Sequence, residues 1–502
     1  MDRRSFFRLV GMGTATAALG FIACSPSDEI ASSEDVLEDA SLMGANAASV
    51  SFSVNCDVLV VGSGIAGLSA AMDPSETGLK VVVADKNTLL GGESYESSGM
   101  LSVYGTHLQK DAGATKTAED YWRERKEAFQ QTYPDVEIPS EELLRSICGL
   151  RASWVDRVVQ HYHASFLDPA EYLDTGVDDR IIVPRSGLEG LDDVMNPLRD
   201  QLAEQGVEYL LGHTLVAFIA DGAGTLCGAR FYSSESDTCT DVAASKIVLA
   251  CGGYAASQQL FLDNLPSLLH AGCYTSLGDG AAMLQAQQVG AATLNLDLVP
   301  DLLGDVPVVD TWGCFAPVVA VGPNGKRFAR EDERYACPNE CFRQELGFWW
   351  TVFDQQTGEG LQSNSAAKTL EGFASRHVGP FESIEELAEA MNVDAHTLKE
   401  TLKSYAKACE DGADEEFGRT AHLSPLSEPY HAIKQFPVRF RTMGGLLVDE
   451  ACQVLDGTGT PIENLYAAGS CAAILSEGFL DNAASGLLAG AAVVEALSQK
   501  PE

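Results

Sequence analysis

The chain has 502 residues, 45% of them hydrophobic, so it is long enough to form more than one compact domain. Its 33 Lys and Arg residues against 72 Asp and Glu give a formal charge of -39. This acidic balance argues against binding to nucleic acid and against docking on anionic lipid through a basic patch. We interpret the negative charge as a contribution to solubility. It does not indicate that the substrate is a cation.

The N-terminal segment predicts export. Asp2 to Arg8 (DRRSFFR) is similar to a twin-arginine signal, and the apolar stretch that follows is too short to span a bilayer. The stretch ends in a lipoprotein-like box, which predicts a signal over residues 1–23 and lipidation of Cys24. An ordinary export signal with an incidental cysteine is the alternative. Residues 24–53 are expected to be a flexible linker. We therefore expect an extracytoplasmic protein that contacts the membrane only through a lipid anchor.

A dinucleotide-binding fingerprint follows the linker. The run Cys56 to Gly62 predicts a buried parallel strand, and GSGIAG at residues 62–67 opens a helix. A second apolar strand ends in Asp85, where an acid that binds ribose is expected. Gly62 makes the tight turn, Gly64 lets the backbone approach a diphosphate, and Gly67 lets the helix pack on the strand. Pro74 is expected to end this helix early.

Later motifs extend the pattern. They are Gly91-Gly92 to Gly99, IVLACGG at residues 247–253, Leu277 to Gly280, Asn464 to Gly469 and Ser485 to Leu487. In this order they resemble the succinate dehydrogenase and fumarate reductase flavoprotein family, including its fumarate and urocanate reductases and ketosteroid dehydrogenases. The resemblance covers roughly residues 54 to 500.

The resemblance implies an α/β fold, with a Rossmann-type FAD-binding domain similar to that of glutathione reductase and an inserted α+β capping domain. The expected divisions are residues 54–299 and 436–502 for FAD binding and 300–435 for the cap. FAD is expected to bind non-covalently, because the stretch Glu93 to Gly99 has no His for attachment. The expected cofactor contacts are Gly62, Gly64, Ile65, Ala66, Gly67, Asp85, Lys86, Gly91, Gly92, Ser98, Gly99, Val216, Ala250, Gly252, Asp279, Gly445, Gly469, Gly486 and Leu487.

Periodicity predicts helices over Thr117 to Gln130, Glu141 to Tyr162 and Asp192 to Gln205. Alternation over Val207 to Asp221 and Thr225 to Tyr232 predicts a small sheet with a turn at Asp221-Gly222. In the expected cap, Ser383 begins a capping box and Asp394 is the N-cap of a helix from Ala395 to Glu410.

Members of the family move hydride between the flavin and an activated C=C bond, and a protein acid serves the adjacent carbon. By resemblance to the cap segment around residues 324–331, the acid is Tyr335 or Arg334, and Tyr335 is favoured because it requires no gap. The alternative is that Tyr335 is only a packing aromatic residue and Arg334 a solvated surface charge. Arg441 replaces a family His and could hold one carboxylate or carbonyl, or form a salt bridge within this acidic protein.

Several family residues that clamp a dicarboxylate are missing. Val299-Pro300 replaces a His-Pro pair, and Asp481 or Asn482 stands where an Arg is found. We therefore expect a small unsaturated substrate, an enone or an α,β-unsaturated acid, but not fumarate. The expected electron donor is a membrane or surface cytochrome, quinol or flavin protein. A ketosteroid-like dehydrogenase and a non-catalytic electron-transfer flavolipoprotein are the alternatives.

The 13 cysteines show no Cys-x-x-Cys motif, and Cys337 and Cys341 fit no ferredoxin spacing. Disulfides and an iron–sulfur cluster are left open. Cys251 and Cys471 fall inside the flavin motifs and are expected to be small packing residues. The 9 histidines show no metal-ligand spacing, so no metal is expected.

Overall fold

The computed structural model describes residues 45–46, 50–97, 99–171, 180–186, 190–275, 277–299, 301–304, 317–333, 335–362 and 376–499. The predicted export signal, Cys24 and most of the predicted linker lie outside these residues. So do Ser98, Pro300 and Arg334.

The described helices are α1 (Ile65–Glu76), α2 (His107–Asp111), α3 (Ala118–Thr132), α4 (Glu141–His161), α5 (Asp192–Glu204), α6 (Gln258–Asn264), α7 (Ala281–Gln288), α8 (Ala336–Arg343), α9 (Gln355–Gln362), α10 (Ile384–Met391), α11 (Ala395–Asp411) and α12 (Phe479–Ser498).

The described strands are β1 (Ala45–Asn46), β2 (Val54–Val61), β3 (Val81–Asp85), β4 (Leu101–Ser102), β5 (Ile181–Ile182), β6 (Glu208–Leu211), β7 (Thr214–Ala220), β8 (Leu226–Ser233), β9 (Thr238–Leu249), β10 (Gly272–Cys273), β11 (Thr293–Leu294), β12 (Asp301–Gly304), β13 (Val319–Val321), β14 (Trp349–Asp354), β15 (His377–Phe381), β16 (Tyr430–Gln435), β17 (Pro437–Arg441), β18 (Gly445–Leu446), β19 (Gln453–Leu455) and β20 (Pro461–Ala467).

A parallel sheet in the order β20-β9-β2-β3-β6 forms the centre of the first domain. The apolar run that predicted the first strand is buried, with Val58, Leu59 and Val60 fully enclosed. Strand β9 is long enough to pair with β2 and also to continue, antiparallel, into β8 and β7. The mixed α/β fold with a doubly wound parallel core confirms the predicted fold class.

The segment from Val207 to Asp221 corrects one prediction. It does not form a single layer, because the chain turns at Gly212 and His213, whose N–H groups bond to the carbonyls of Asn87 and Asp85. Strand β6 therefore extends the parallel sheet beyond β3, and only β7 belongs to the antiparallel extension. The predicted turn at Asp221 is present, since its Oδ1 accepts from the N–H groups of Ala223 and Thr225.

The first and last helices pack directly against each other. A Cβ placed on Gly486 of α12 would lie 2.1 Å from the Ala66 carbonyl oxygen of α1, so backbone meets backbone here. Pro74 lies inside α1, which continues to Glu76, and so it does not end the helix as predicted. Proline cannot bond the Ala70 carbonyl, and this oxygen instead faces Gly490, where a Cβ would lie at 2.6 Å.

Among the described residues, α12 is long and apolar enough to cross a membrane, which sequence analysis overlooked. Eleven of its residues are buried, and it packs on α1 and α4. These contacts are those of a core helix.

A second core lies within the predicted cap. The antiparallel sheet β13-β14-β16-β15 packs on α10 and α11 through Val319, Val352, Leu387 and Leu398. Asp394 caps α11 by accepting from the Thr397 N–H, as predicted, and Ser383 caps α10 by accepting from the Glu386 N–H, which is one of the two bonds of the predicted capping box. Between the two cores, β17 pairs with β12 and with β10.

Candidate cofactor and active site

A cleft opens at the carboxyl ends of the parallel strands and encloses about 870 Å³, including its open mouth. Its walls come from the fingerprint loop, the loop after β3, the start of β7, the segment after β9 and the loop before α7. Of the predicted contacts it contains Gly62, Gly64, Ile65, Ala66, Asp85, Lys86, Gly92, Ala250, Gly252 and Asp279.

Two fingerprint glycines have the geometry that their positions predict. Gly62 has φ +108°, and a Cβ there would lie 2.2 Å from the Ala250 carbonyl oxygen. A Cβ on Gly67 would lie 1.9 Å from the Gly62 carbonyl oxygen. Neither position can hold a side chain, because the turn and the close approach of α1 to β2 use that space.

The N-terminus of α1 is electrostatically suited to an anion. Its N-cap is Gly64, which offers no side-chain cap, and its first turn has no acidic residue. Helix α3, in contrast, has Thr117 as a side-chain cap and two acids in its first turn. The Ile65 N–H bonds to the Ser94 hydroxyl at 2.9 Å. Gly64, Ile65 and Ala66 line the cleft, so an anion bound at this helix start would meet no competing acid from the first turn.

Asp85 holds the loops of the cleft together. Its Oδ2 accepts from the Ser63 N–H and hydroxyl at 2.7 and 2.6 Å. Its Oδ1 accepts from the N–H and the side-chain amide of Asn87, and the Ser63 hydroxyl in turn accepts from the Gly91 N–H. These four donors fill the acceptor sites of the carboxylate. That Asp85 binds a ribose hydroxyl stays a prediction, and the structure shows it bracing the fingerprint loop.

Lys86 and Asp279, two of the predicted contacts, form an ion pair with Nζ and Oδ2 2.6 Å apart. Lys86 also donates to the Leu277 carbonyl at 2.6 Å. Both side chains are mostly buried, at 27% and 20% exposure. The pair therefore ties the loop after β3 to the loop before α7.

The remaining predicted contacts within the described residues are not among those that line the cleft. Gly67 and Gly486 pack against backbone, Gly91 precedes the wall residues 92–94, Gly99 follows them, and Val216 is buried one residue beyond Leu215, which lines the cleft. Gly445, Gly469 and Leu487 are also buried. Sequence reasoning missed wall residues with polar side chains, namely Ser63, Asn87, Glu93, Ser94, His213, Thr214, Ser470 and Asn482. Ser63 and Ser470 are directly next to motif glycines, and Ser94 is two residues after Gly92, which was the available signal for these three.

The predicted catalytic residues lie around β17. Tyr335 is buried, contacts Leu303 and Val438, and has a left-handed backbone with φ +64° at the start of α8. Arg441 ends β17, and its Nη1 donates to the Glu477 carbonyl at 2.8 Å. The next residue, Thr442, and Ser470 of the cleft wall both face Gly253. Tyr335 therefore contacts β17 at Val438, and Arg441 is the last residue of that strand, but neither is among the residues that line the cleft.

A cluster of charges behind this end was not predicted. Arg125 and Arg151 both contact Asp481 Oδ1, at 3.0 and 3.2 Å, and all three side chains are buried. Burial opposes ionisation of Asp481, but the two guanidinium groups hold its pKa below the usual range. Glu477 is 36% exposed and accepts from the Tyr121 hydroxyl at 3.2 Å. The signal was Asp481 itself, which stands where the resembled family has an Arg.

Comparison with known proteins matches residues 57–487 to the family described as FAD binding domain. The chain belongs to this FAD-binding family. It is an FAD-dependent oxidoreductase, as predicted, and its cofactor is FAD.

Two curated relatives each match most of this chain. A probable fumarate reductase of Shewanella frigidimarina is 26% identical over 422 residues, which cover 82% of this chain and 69% of the relative. The urocanate reductase of Eggerthella lenta is 24% identical over 445 residues, with the same two coverages of 82% and 69%. Among solved structures, the open conformation of a flavocytochrome c3 fumarate reductase has a TM-score of 0.70 at 22% identity and covers 88% of this chain and 78% of its own. The structural likeness shows the shared fold.

The described residues fit FAD. The uncapped start of α1 suits the diphosphate, and the closely packed Gly62 and Gly67 shape the cradle. Ser470 and Asn482 add polar groups from a second part of the chain to the same cleft. When bound, FAD supplies two-electron redox chemistry.

Proposed function

We propose that this chain reduces an activated carbon–carbon double bond, in an enone or in an α,β-unsaturated acid other than fumarate. The two curated relatives are named for reduction of fumarate and urocanate. The observation that carries the proposal is that Arg441 ends β17 directly before Thr442, which faces Gly253 together with Ser470 of the cleft wall, while Tyr335 contacts the same strand at Val438.

Arg441 holds the activating group of the substrate. Negative charge develops on the carbonyl or carboxylate as hydride reaches the double bond, and a fixed cation stabilises that charge. The bond from Arg441 to the Glu477 carbonyl fixes the guanidinium before substrate binds. A single planar cation of this kind binds one carboxylate or carbonyl, which agrees with the loss of the other clamps of a dicarboxylate.

Tyr335 donates the proton to the adjacent carbon. Its left-handed backbone costs on the order of 1 to 3 kcal/mol for a residue with a Cβ, and such strain is typical of functional positions. Burial among Leu303, Val438 and Phe440 limits the directions from which its hydroxyl can be reached. Arg334, the alternative donor, lies outside the described residues.

The test is an anaerobic assay in which a reduced viologen dye is oxidised by a panel of enones, unsaturated acids and polyphenols. We expect Tyr335→Phe to lower kcat by about 100-fold or more, because general acid catalysis typically contributes that much. Arg441→Met should lower kcat/KM by about 100- to 1,000-fold. Tyr274→Phe is the matched control, because Tyr274 packs in the same cluster.

Other outcomes separate the alternatives. If neither variant alters turnover of any substrate, the catalytic assignment is wrong. If only saturated ketones react, reducing an added electron acceptor, the chain is a dehydrogenase. If no compound in either direction reacts but the bound flavin exchanges electrons with redox proteins, it is an electron-transfer flavoprotein.

We also propose that the chain is exported, is anchored through Cys24, holds FAD without a covalent bond and receives electrons from a membrane or surface redox protein. The Arg3-Arg4 pair and the box before Cys24 support export. Arg3→Lys with Arg4→Lys should keep the protein in the cytoplasm, and Cys24→Ala should release it from membranes. Retention of the wild-type N-terminus, intact by mass spectrometry, would contradict this proposal. Release of free FAD on denaturation tests the non-covalent binding.

A further inference from the structure

The turn between β6 and β7 brings a histidine to the wall of the FAD cleft. His213 lies in this turn, and its backbone N–H bonds to the Asp85 carbonyl at 2.9 Å. This bond joins the turn to the end of β3, which is where a dinucleotide-binding domain receives the ribose of its cofactor. His213 and the next residue, Thr214, both line the cleft. The turn therefore places an imidazole beside the expected ribose position.

The carboxylate that is expected to bind this ribose is already engaged by the protein. Asp85 is 6% exposed, and Ser63 and Asn87 each donate two hydrogen bonds to it, at 2.6 to 3.0 Å. Since a carboxylate offers about four acceptor sites, these donors leave none for a ribose hydroxyl. A hydroxyl that donates a hydrogen bond at this end of the cleft therefore needs another acceptor.

The orientation of the His213 ring supplies such an acceptor. Nδ1 lies 2.6 Å from the Leu211 carbonyl oxygen, which can only accept, so Nδ1 carries the proton. In the neutral imidazole Nε2 is then an acceptor. Nε2 makes no hydrogen bond within the part of the chain that the structure describes, and it is accessible to solvent. The bond to Leu211 also holds the ring in place before the cofactor binds.

We propose that Nε2 of His213 accepts a hydrogen bond from a ribose hydroxyl in the adenosine half of FAD and so takes the place of Asp85 in cofactor recognition. Asp85 keeps the role of bracing the fingerprint loop through Ser63. The proposal rests on FAD as the cofactor and is independent of the reaction that the flavin performs.

Two substitutions separate the two ring nitrogens. The amide of His213→Asn reaches the position of Nδ1 and can still donate to the Leu211 carbonyl, but it leaves no acceptor at the position of Nε2. The longer side chain of His213→Gln brings its amide oxygen to the position of Nε2. We expect His213→Asn to weaken FAD binding about 5- to 10-fold, the effect of one hydrogen bond, and His213→Gln to retain most of the affinity.

The measurement uses the holoenzyme. Release of FAD on dilution is followed by the rise in flavin fluorescence, and circular dichroism checks that each variant is folded. Thr214→Val is the matched control, because Thr214 lines the same part of the cleft and the substitution removes only a hydroxyl. The affinity of this control for FAD should be close to that of the unmodified protein.

FAD analogues that lack the 2′- or the 3′-hydroxyl of the adenosine ribose identify the partner of Nε2. Holoenzyme is equilibrated with each analogue, and the nucleotide that stays bound is quantified by chromatography. One analogue should bind about 5- to 10-fold more weakly than FAD to the unmodified protein, but as well as FAD to His213→Asn. Unchanged FAD affinity in His213→Asn, an equal loss in Thr214→Val, or an analogue effect that persists in His213→Asn would each overturn the proposal. A protein that reduces no alkene could still pass this test.

Discussion

The cap and the FAD-binding domain each bury arginines against carboxylates, but the two clusters differ in how completely they are paired. In the cap, Arg327 makes four hydrogen bonds, two to Glu331 and two to Asp414, at 2.7 to 3.1 Å. Arg419 beside it donates to three backbone carbonyls. The side chains of Arg327, Glu331, Asp414 and Arg419 are at most 2% exposed.

The cluster of Arg125, Arg151, Asp481 and Glu477 is less completely paired. Arg151 is buried and contacts Asp481, yet its Nε and Nη1 make no hydrogen bond within the part of the chain that the structure describes. Its guanidinium instead lies over the Tyr121 ring at 4.2 Å. Glu477 remains 36% exposed beside Arg125. The fully paired cluster in the cap should therefore act mainly on stability. The cluster around Asp481, with its exposed Glu477, should also affect binding at the cleft.

The largest expected effect is in the cap. Arg327→Met leaves Glu331 and Asp414 buried without their main cation, so the free energy of unfolding should fall by about 3 to 5 kcal/mol. Chemical denaturation measures this, and FAD affinity of the folded protein should not change. Arg330→Met is the control. The Arg330 side chain, which pairs with Asp332, is 37% exposed, so this ion pair should contribute less than about 1 kcal/mol to the free energy of unfolding.

The second prediction concerns Asp481→Asn, which keeps the shape but removes the charge between Arg125 and Arg151. We expect a loss of about 2 to 3 kcal/mol, because Glu477 still offers Arg125 a partial counter-ion. FAD affinity should also fall, since the next residue, Asn482, lines the cleft. Asp414→Asn in the cap is the matched control and should leave FAD affinity unchanged. If both variants weaken FAD binding equally, the proposed difference between the two charge clusters is wrong.

The third prediction concerns how the stability of the protein changes at alkaline pH through Tyr121. Burial raises the pKa of Tyr121 to about 12, although Arg151 opposes this. Between the unfolded pKa of about 10 and this value, the folded protein keeps a proton that the unfolded chain loses, so stability falls as pH rises by about 1.4 kcal/mol per unit. Tyr121→Phe should remove this component from urea titrations, whereas Tyr133→Phe should not. Equal slopes in both variants would contradict the assignment.

The smallest stability effect is expected for Glu477→Gln. The side chain is 36% exposed, so the change in unfolding free energy should stay below about 1 kcal/mol. Turnover should be more sensitive, because the Glu477 carboxylate accepts from the Tyr121 hydroxyl and lies beside Arg125, whereas its backbone carbonyl, which the substitution keeps, bonds to Arg441. Glu124→Gln is a close control, since Glu124 is 37% exposed and accepts from the Tyr104 hydroxyl. A shift in KM confined to Glu477→Gln would support its place beside the substrate.

The sequence predicted the parts of the molecule that local patterns determine. The apolar run before Gly62 and the spacing to Gly67 define a buried strand, a turn and a close-packed helix without reference to distant residues. Side-chain caps such as Asp394 are equally local. The cluster around Asp481 could not be predicted in this way, because Arg125 and Arg151 lie more than 300 residues earlier and only tertiary packing joins them.

The same limit explains the errors at the cleft. Asp85 has the expected position, but its four donors come from Ser63, a position that the fingerprint leaves open to any residue, and from Asn87, which lies outside it. Pro74 was expected to end a helix, since the pattern could not show that Gly490 would lie against the carbonyl that proline leaves unbonded.

The contact between α1 and α12 has a consequence for biosynthesis. The fingerprint helix is synthesised before the rest of the FAD-binding fold, and α12, the helix that covers it, is synthesised after the predicted cap. The cradle therefore gains this wall only once α12 has left the ribosome, so we expect a chain truncated before Phe479 to hold the nucleotide more weakly than one that includes α12.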